Sequence, residues 1–410
     1  MSEPGQPATE GAPPADPNQL GAPSPAQRLA LWQKAGGVVT PILTAVIAFA
    51  IGGLVVLITT GKNPLSTYRG IFNGTGLNWF FPWISSADRV TAALNLQQTL
   101  LITTPLILTG LAVAFAFRCG LFNIGGQGQY TVGTIVAVWV GSSWANMAGP
   151  LHQILAIVLA MVAGALFAGI AGFLRATVGA HEVITTIMLN WIAYWGGSYL
   201  FGLGGPLQSK TSPDVPVSAD IVEKAHLHVF WGDPVLQGLD IGLFVAIAAL
   251  VVYWVVLSRT TLGFEVRAVG FNPEAARYGG ISVRRNYFLA MAISGLFAGL
   301  AGALDILGWE FRLNVNDIQI SSIGFVGIAV ALLGRNTAIG TGLAALLFGA
   351  LLNGTSTRNL DPSIFRPDLA ANLTTLIQGL VVLFVGADLL VLYAWLWFRR
   401  RVLRQRVPVL

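Results

Sequence analysis

The sequence predicts an all-α fold, a polytopic transmembrane helical bundle of about ten segments, with eight as the lower count. Both termini are expected in the cytoplasm, and some of the helices are expected to be short or broken. Three observations predict this. Of 410 residues, 54% are hydrophobic and only 10% are charged, against about 25% charged in soluble domains. Apolar runs of about 20 residues, the length that crosses a bilayer core, recur along the chain. Positive charge collects in alternate connections between those runs, as the positive-inside rule requires of a multi-pass chain.

Taken in order, residues 1–30 are rich in Pro, Ala and Gly and poor in large apolar side chains. They read as a disordered cytoplasmic tail, not as a signal peptide, because no basic region precedes a short apolar core with a cleavage site. A membrane domain is expected over 36–398, followed by a basic cytoplasmic tail at 399–410. The candidate spans are 36–60, 93–117, 124–141, 151–174, 183–203, 240–257, 287–307, 322–334, 338–353 and 373–398. The third opens on Gly125-Gly126-Gln127-Gly128-Gln129, and the eighth and ninth are short. Short or glycine-broken segments mark the substrate region of transporters.

With the N-terminus inside, Arg118, Arg175, Arg335, the loop 258–286 and the tail Arg399-Arg400-Arg401 all fall on the cytoplasmic side. The outer loops mix signs; 204–239 sets Lys210 and Lys224 against Asp214, Asp220, Glu223 and Asp233. Gly164, Gly169 and Gly172, and the series Gly295, Gly299 and Gly302, recur at spacings that place small residues on one helix face for close packing.

Composition also excludes function classes. The single cysteine, Cys119, cannot form an intramolecular disulfide or a multi-thiolate metal site. Four scattered histidines, at 152, 181, 226 and 228, predict no metal centre. The net charge of +5 owes much to the C-terminal arginines beside a span, a stop-transfer and anionic-lipid feature, and not to a nucleic-acid motif. The chain has no Gly-x-x-x-x-Gly-Lys-Ser/Thr loop, no Ser-His-Asp order and no His-Glu-x-x-His helix, so it is read as non-catalytic and without a cofactor of its own. Ion-coupled carriers keep ionisable groups within their spans; here only Glu182, Asp305 and Asp388 qualify. A solute path with neither motor nor proton relay draws its energy from another protein.

Two groups of residues stand out as functional candidates. Within the loop 258–286, Asn272 can cap a short helix, Pro273 suits its first turn, Glu274 favours its positive end, and Ala275, Ala276 and Arg277 continue it. Gly279-Gly280 stop it, with Gly279 expected in the left-handed conformation. Such a helix reads as a docking element for a soluble partner or as a solvated loop helix. The second group is the amides and rings at span interiors: Phe122, Asn123, Gln127, Gln129 and Tyr130, then Glu182, Asn190 and Trp191, then Asn353. Amides in a span are costly unless paired or facing a polar cavity. They therefore fit a solute path or, equally, bonds to neighbouring carbonyls where glycines let backbones meet. Glu182 also suits a partner for Arg175.

Three stretches carry a family resemblance. GFEVRAVGFNPEAARYGGISVRRNYFLAMAISGLFAGLAGA (263–303) resembles the cytoplasmic loop and following helix of nucleoside-type importer permeases driven by ATP-binding cassettes, relatives of the simple-sugar and branched-chain amino-acid permeases. FRCGLFNIGGQGQYTVG (117–133) and HEVITTIMLNWIA (181–193) resemble two further segments of that family. The likeness covers about 40 to 400. It implies a cytoplasmic coupling helix at 272–280 and nucleosides as cargo, whose hydroxyls and base edges amides can bond and whose rings Phe122 and Tyr130 can stack on. It also implies a partner ATPase that binds ATP and Mg2+, a second similar permease or a second copy, an extracytoplasmic solute-binding lipoprotein, and a bacterial cell membrane. A simple sugar such as ribose is the alternative cargo. A secondary carrier fits less well with the 258–286 helix and the scarcity of buried carboxylates.

Overall fold

A computed structural model describes residues 46–58, 61, 63–233, 238–356 and six positions between 372 and 383. The expected tails at 1–30 and 399–410, and nearly all of the segment 373–398, lie outside the described residues. Helices occupy the other nine candidate segments. They open with α1 (Val46–Ile58) and α2 (Pro64–Gly74), whose cap Asn63 accepts from the Leu65 N–H at 2.9 Å. The long α3 (Ser86–Arg118) follows, capped where Ser85 accepts from the Asp88 N–H. The chain then breaks before α4 (Gly126–Gly141), and continues with α5 (Gly149–Val178) and α6 (Glu182–Phe201). The connection 202–241 carries the one sheet among the described residues, an antiparallel pair β1 (Val229–Trp231) and β2 (Leu239–Asp240). This is a small departure from an all-α expectation.

Next come α7 (Gly242–Arg259), α8 (Thr261–Phe271), α9 (Pro273–Tyr278) and α10 (Val283–Asp305). A π-helical turn, Ile306–Glu310, extends α10. Then follow α11 (Val315–Ile320), α12 (Ile323–Leu333) and α13 (Ala338–Gly354). Five helical stretches among the described residues are long and apolar enough to cross a membrane: Ser86–Arg118, Gly149–Val178, Gly242–Arg259, Val283–Glu310 and Val315–Leu333.

Two expectations for the loop 258–286 are corrected. It holds two helices rather than one, because Thr260 caps α8 by accepting from the Gly263 N–H at 3.1 Å. The left-handed stop after α9 is Gly280, at φ +80°, while Gly279 sits at φ −75°. The physical reason is that the turn closes one residue later, where the Ile281 N–H returns to the Ala276 carbonyl at 3.0 Å.

Packing is set by glycine. The axes of α5 and α10 approach so closely that a Cβ on Gly299 would sit 3.0 Å from the Met161 Cα and closer still to the Ala160 carbonyl. On the other side of α10, a Cβ on Gly133 of α4 would meet the Gly299 Cα at 2.7 Å. Backbone approach of this kind replaces the hydrophobic driving force that lipid does not supply.

The two ends of the bundle are tied differently. At one end Arg118 of α3, through Nε and Nη2, and the Tyr253 hydroxyl of α7 all donate to the Asn336 carbonyl, at 3.0, 2.7 and 2.8 Å. The α8–α9 pair lies at this end, where Gly120 faces Gly270. At the other end the 202–241 connection is stitched to helix termini. Val222 N–H donates to the Gly141 carbonyl, Ile221 N–H to Phe311 and Leu227 N–H to Leu307, at 2.8–2.9 Å.

Gly299→Leu is expected to abolish accumulation of folded protein, since overpacking costs about 1–3 kcal/mol even where neighbours can shift and here they are backbone. Gly196→Leu, with no atom within 4 Å of its added Cβ, should retain wild-type yield and melting temperature. Fluorescence size-exclusion profiles with thermal challenge distinguish the two; a well-behaved Gly299→Leu protein would contradict the packing.

Candidate functional site

The break between α3 and α4 is built from a sequence that cannot continue a helix. Gly120 takes φ +75° and ends α3. The stretch 121–125 then runs non-helically among buried neighbours. Non-helical backbone within a bundle must find partners from protein, because lipid offers none.

The amides supply those partners. Asn123 Oδ1 accepts from the Gly125 N–H at 2.9 Å and from Gln129 Nε2 at 3.0 Å, and Asn123 Nδ2 donates to Gln129 Oε1 at 2.8 Å and Ser294 Oγ at 2.7 Å. Ser294 in turn donates to the Ala112 carbonyl of α3 at 2.5 Å. From α6, Asn190 Oδ1 accepts from the Gly128 N–H at 2.8 Å while its Nδ2 donates to the Ile124 carbonyl at 3.0 Å. Gln127 Oε1 accepts from the Gly324 N–H at 2.8 Å, in the first turn of α12, where no side-chain cap exists. Asn123, Gln127 and Gln129 are all buried. One cluster therefore satisfies the broken start of α4 and the start of α12, and fixes both to α3, α6 and α10.

The remaining expected pathway residues are spread around it. Phe122 stacks on Phe117 with ring centroids 4.9 Å apart. Glu182, in the first turn of α6, pairs with Arg175 at 3.5 Å. Trp191 is exposed and meets Tyr194 edge-on. Asn353 lies apart, where its Nδ2 donates to the carbonyls of Asn95 and Gly74 and to Thr99, at 2.7–3.2 Å, joining α13 to α3 and α2.

Tyr130 differs from the rest. Buried one turn further along α4, it donates to Asp305 Oδ2, while Trp309 donates to Oδ1 of the same carboxylate. Beside it lies a small cavity of about 10 Å³, room for about one water. Tyr130, Thr131 and Thr134 of α4 form one wall; Glu310 and Leu313 come from the end of the π turn and the bend after it; Asp317, Ile318 and Ser321 come from α11 and its exit. The three acids 305, 310 and 317 were the residues that sequence reasoning left out of the site. Their signal was present: they fall in one short stretch at a span end, with Arg312 as its single cation.

The docking-helix residues lie together. Asn272 Oδ1 accepts from the N–H groups of Glu274 and Ala275 at 3.0 and 3.1 Å. Glu274 and Arg277 face each other at 3.6 Å, both largely exposed, a geometry worth little by itself. Ala276 is buried against the bundle, whereas Phe271 and Tyr278 are 92% and 93% exposed. Two aromatic rings are thus left in the open, one at the end of α8 and one at the end of α9.

A glycine-packed bundle of apolar helices, five of its stretches among the described residues long enough to cross a membrane, has the make-up of a multi-pass membrane protein. Comparison with known proteins agrees: a family model for the permease component of branched-chain amino acid transport systems matches residues 95–386, and the chain belongs to that family of multi-pass membrane proteins. The guanosine ABC transporter permease of Bacillus subtilis is 36% identical over 85% of this chain and 92% of its own length. The nucleoside ABC transporter permease of Lactococcus lactis is 34% identical over 86% and 92%. The glucose ABC transporter permease of Haloferax volcanii is 36% identical over 84% and 86%.

Asn190→Leu strands the Gly128 N–H and the Ile124 carbonyl, at about 1–3 kcal/mol for each buried group left unpaired. A clear fall in the melting temperature of the purified protein is expected, larger than for Asn353→Leu if the break is the weaker structure. An unchanged melting temperature would show that the break does not depend on this side chain.

Proposed function

We propose that this chain is the membrane permease subunit of an ATP-binding cassette importer that carries nucleosides across a bacterial cell membrane. The observation that carries the cargo assignment is the near full-length likeness to a guanosine permease and a nucleoside permease. The glucose permease of similar identity keeps a simple sugar as the second reading.

In this reading α9, with Asn272, Pro273, Glu274, Ala275, Ala276, Arg277 and Gly279, is the coupling helix, seated in a separate cytoplasmic ATPase that binds ATP and Mg2+. A second permease, similar or identical, completes the membrane unit, and a solute-binding lipoprotein delivers cargo from outside. The end bearing α8 and α9 is then cytoplasmic and the 202–241 connection external. The geometry supports a direct mechanical route. Only the short turn 279–282 separates α9 from α10, and α10 runs 23 residues, about 34 Å at the usual helical rise. Its far end is Asp305, which holds Tyr130 at the cavity. A displacement of α9 is thus delivered to the cavity wall by a single rigid helix. Phe122, Asn123, Gln127, Gln129, Glu182, Asn190, Trp191 and Asn353 are proposed as the frame that surrounds the path.

Reconstitution with its cognate ATPase, partner permease and binding protein should give ATP-dependent guanosine uptake. Glu274→Arg, which sets a positive charge at the helix N-terminus, combined with Gly280→Val, which strains a φ of +80°, should lower uptake at least tenfold while the protein still inserts and purifies. Wild-type uptake in that variant would contradict the coupling assignment.

A further inference from the structure

The connection between α2 and α3 leaves a run of aromatic rings in the open. Residues 77–83 hold Trp79, Phe80, Phe81 and Trp83, and Phe80 and Trp83 are 66% and 78% exposed. Phe81 stacks on Trp83 with centroids 4.6 Å apart and lies 6.0 Å from Phe72 of α2. Trp79 meets Trp231 of β1 at 5.6 Å. Beside Trp231, Phe230 meets Phe244, in the first turn of α7, at 4.8 Å. Phe244 opens an exposed apolar stripe on α7 that continues through Ile247, Val251 and Trp254. The rings are therefore continuous with the outer face of a helix long and apolar enough to cross a membrane.

Their height in the bundle is fixed by α3. The apolar part of that helix, Leu100–Phe117, measures about 27 Å at the usual helical rise, close to the ~30 Å of a bilayer hydrocarbon core. Asn95, Gln97 and Gln98 stand just beyond it. At this level Thr99 Oγ1 donates to the Thr75 carbonyl at 2.7 Å, and Asn353, at the end of α13, donates to the Gly74 carbonyl at 3.2 Å. A Cβ on Gly76 would sit 2.6 Å from the Leu96 Cα, and one on Gly232 would sit 3.0 Å from the Gln97 Cδ. The aromatic run thus begins where the apolar part of α3 ends.

The same boundary is written around the axis of α2. Successive residues of a helix turn by about 100°. Thr67, Ile71 and Gly74 form a buried sector against the bundle. Leu65 and Phe72 share an exposed apolar sector, while Ser66, Arg69 and Asn73 share an exposed polar one. Water offers nothing to the apolar sector and acyl chains offer nothing to the polar one. A helix lying along the boundary satisfies both, and aromatic rings concentrate at that boundary.

We propose that α2, residues 77–83 and the β1 rings Phe230 and Trp231 form an interfacial collar. It lies in lipid, between headgroups and acyl chains, in the leaflet on the side of the 202–241 connection. The collar sets the height at which α3 and α13 end, through the Thr75 and Gly74 carbonyls. It does not depend on the cargo.

The test measures depth by power-saturation electron paramagnetic resonance. The full chain, with Cys119→Ser, carries one nitroxide at a time in nanodiscs of phosphatidylcholine and phosphatidylglycerol in equal parts. Phe72→Cys, Phe80→Cys and Trp83→Cys carry the test labels, so loss of one variant to misfolding leaves two readings. Asp214→Cys, on the exposed connection, is the reference in water, and Leu166→Cys, exposed midway along α5, is the reference in acyl chains. The ratio of oxygen to nickel-chelate accessibility at the test positions should exceed that at 214 at least about threefold and stay below that at 166, as for an element sunk about 5–10 Å into the boundary. Asn73→Cys, in the polar sector, should read closer to 214 than Phe72→Cys does. Test labels that match 214 would overturn the proposal. High nickel accessibility at 80 and 83 that is lost on adding a soluble binding protein would overturn it in favour of a protein-docking surface.

Discussion

The structure turns on one constraint: backbone that leaves a helix inside the bundle must be hydrogen-bonded by protein. Between Gly120 and Gly125 the chain does this, and the groups it frees are met by the break's own Asn123 and by Asn190 of α6. Asn123, Gln129 and Ser294 are consequently locked to one another, Asn190 to the backbone of Ile124 and Gly128, and Gln127 Oε1 to the first turn of α12. Because the same cluster touches α3, α4, α6, α10 and α12, it sets where the first turns of α4 stand. That position in turn places Tyr130 against the end of α10. The glycines of α5 and α10 play the complementary part, allowing the axes to approach until the small polar groups can reach.

From this arrangement follows a division of labour along α10. One end is joined to a short capped helix with two exposed aromatic rings. The other holds, through Asp305, the wall of a polar cavity. The π turn Ile306–Glu310 extends α10 there, with Trp309 on the Asp305 carboxylate and Glu310 in the cavity lining. Such turns concentrate at functional positions in helices. In the proposed function, energy enters at one end of this helix and is used at the other.

Much of this was legible in the sequence. Apolar runs near the bilayer length located nine helices, and Asn272-Pro273-Glu274 located α9 with its cap. Gly164, Gly295 and Gly299 announced the close α5–α10 contact. What was not legible has particular causes. The helix α8 was hidden because its apolar residues fall on more than one face, Val266 and Val269 buried but Phe264 and Phe271 exposed; Thr260 and tertiary contact with Gly120 make it. The stop moved from Gly279 to Gly280 because two adjacent glycines give no local means of choosing which takes positive φ. The amides at 123, 127, 129 and 190 fit two roles in sequence, and only hydrogen-bond partners show how their capacity is used. Glu310 and Asp317 stood in a stretch that reads as a polar span end, since nothing local reveals that α11 folds back to bring them beside Tyr130.

The central claim is the proposal that the amide cluster frames the path without lining it. Photolabelling of the reconstituted complex during turnover with 8-azidoadenosine, followed by peptide mapping, tests it most directly. The account predicts adducts outside 121–127 and 190–191, reduced by excess guanosine. Adducts confined to 121–127 and 190–191, competed by the same excess, would contradict it.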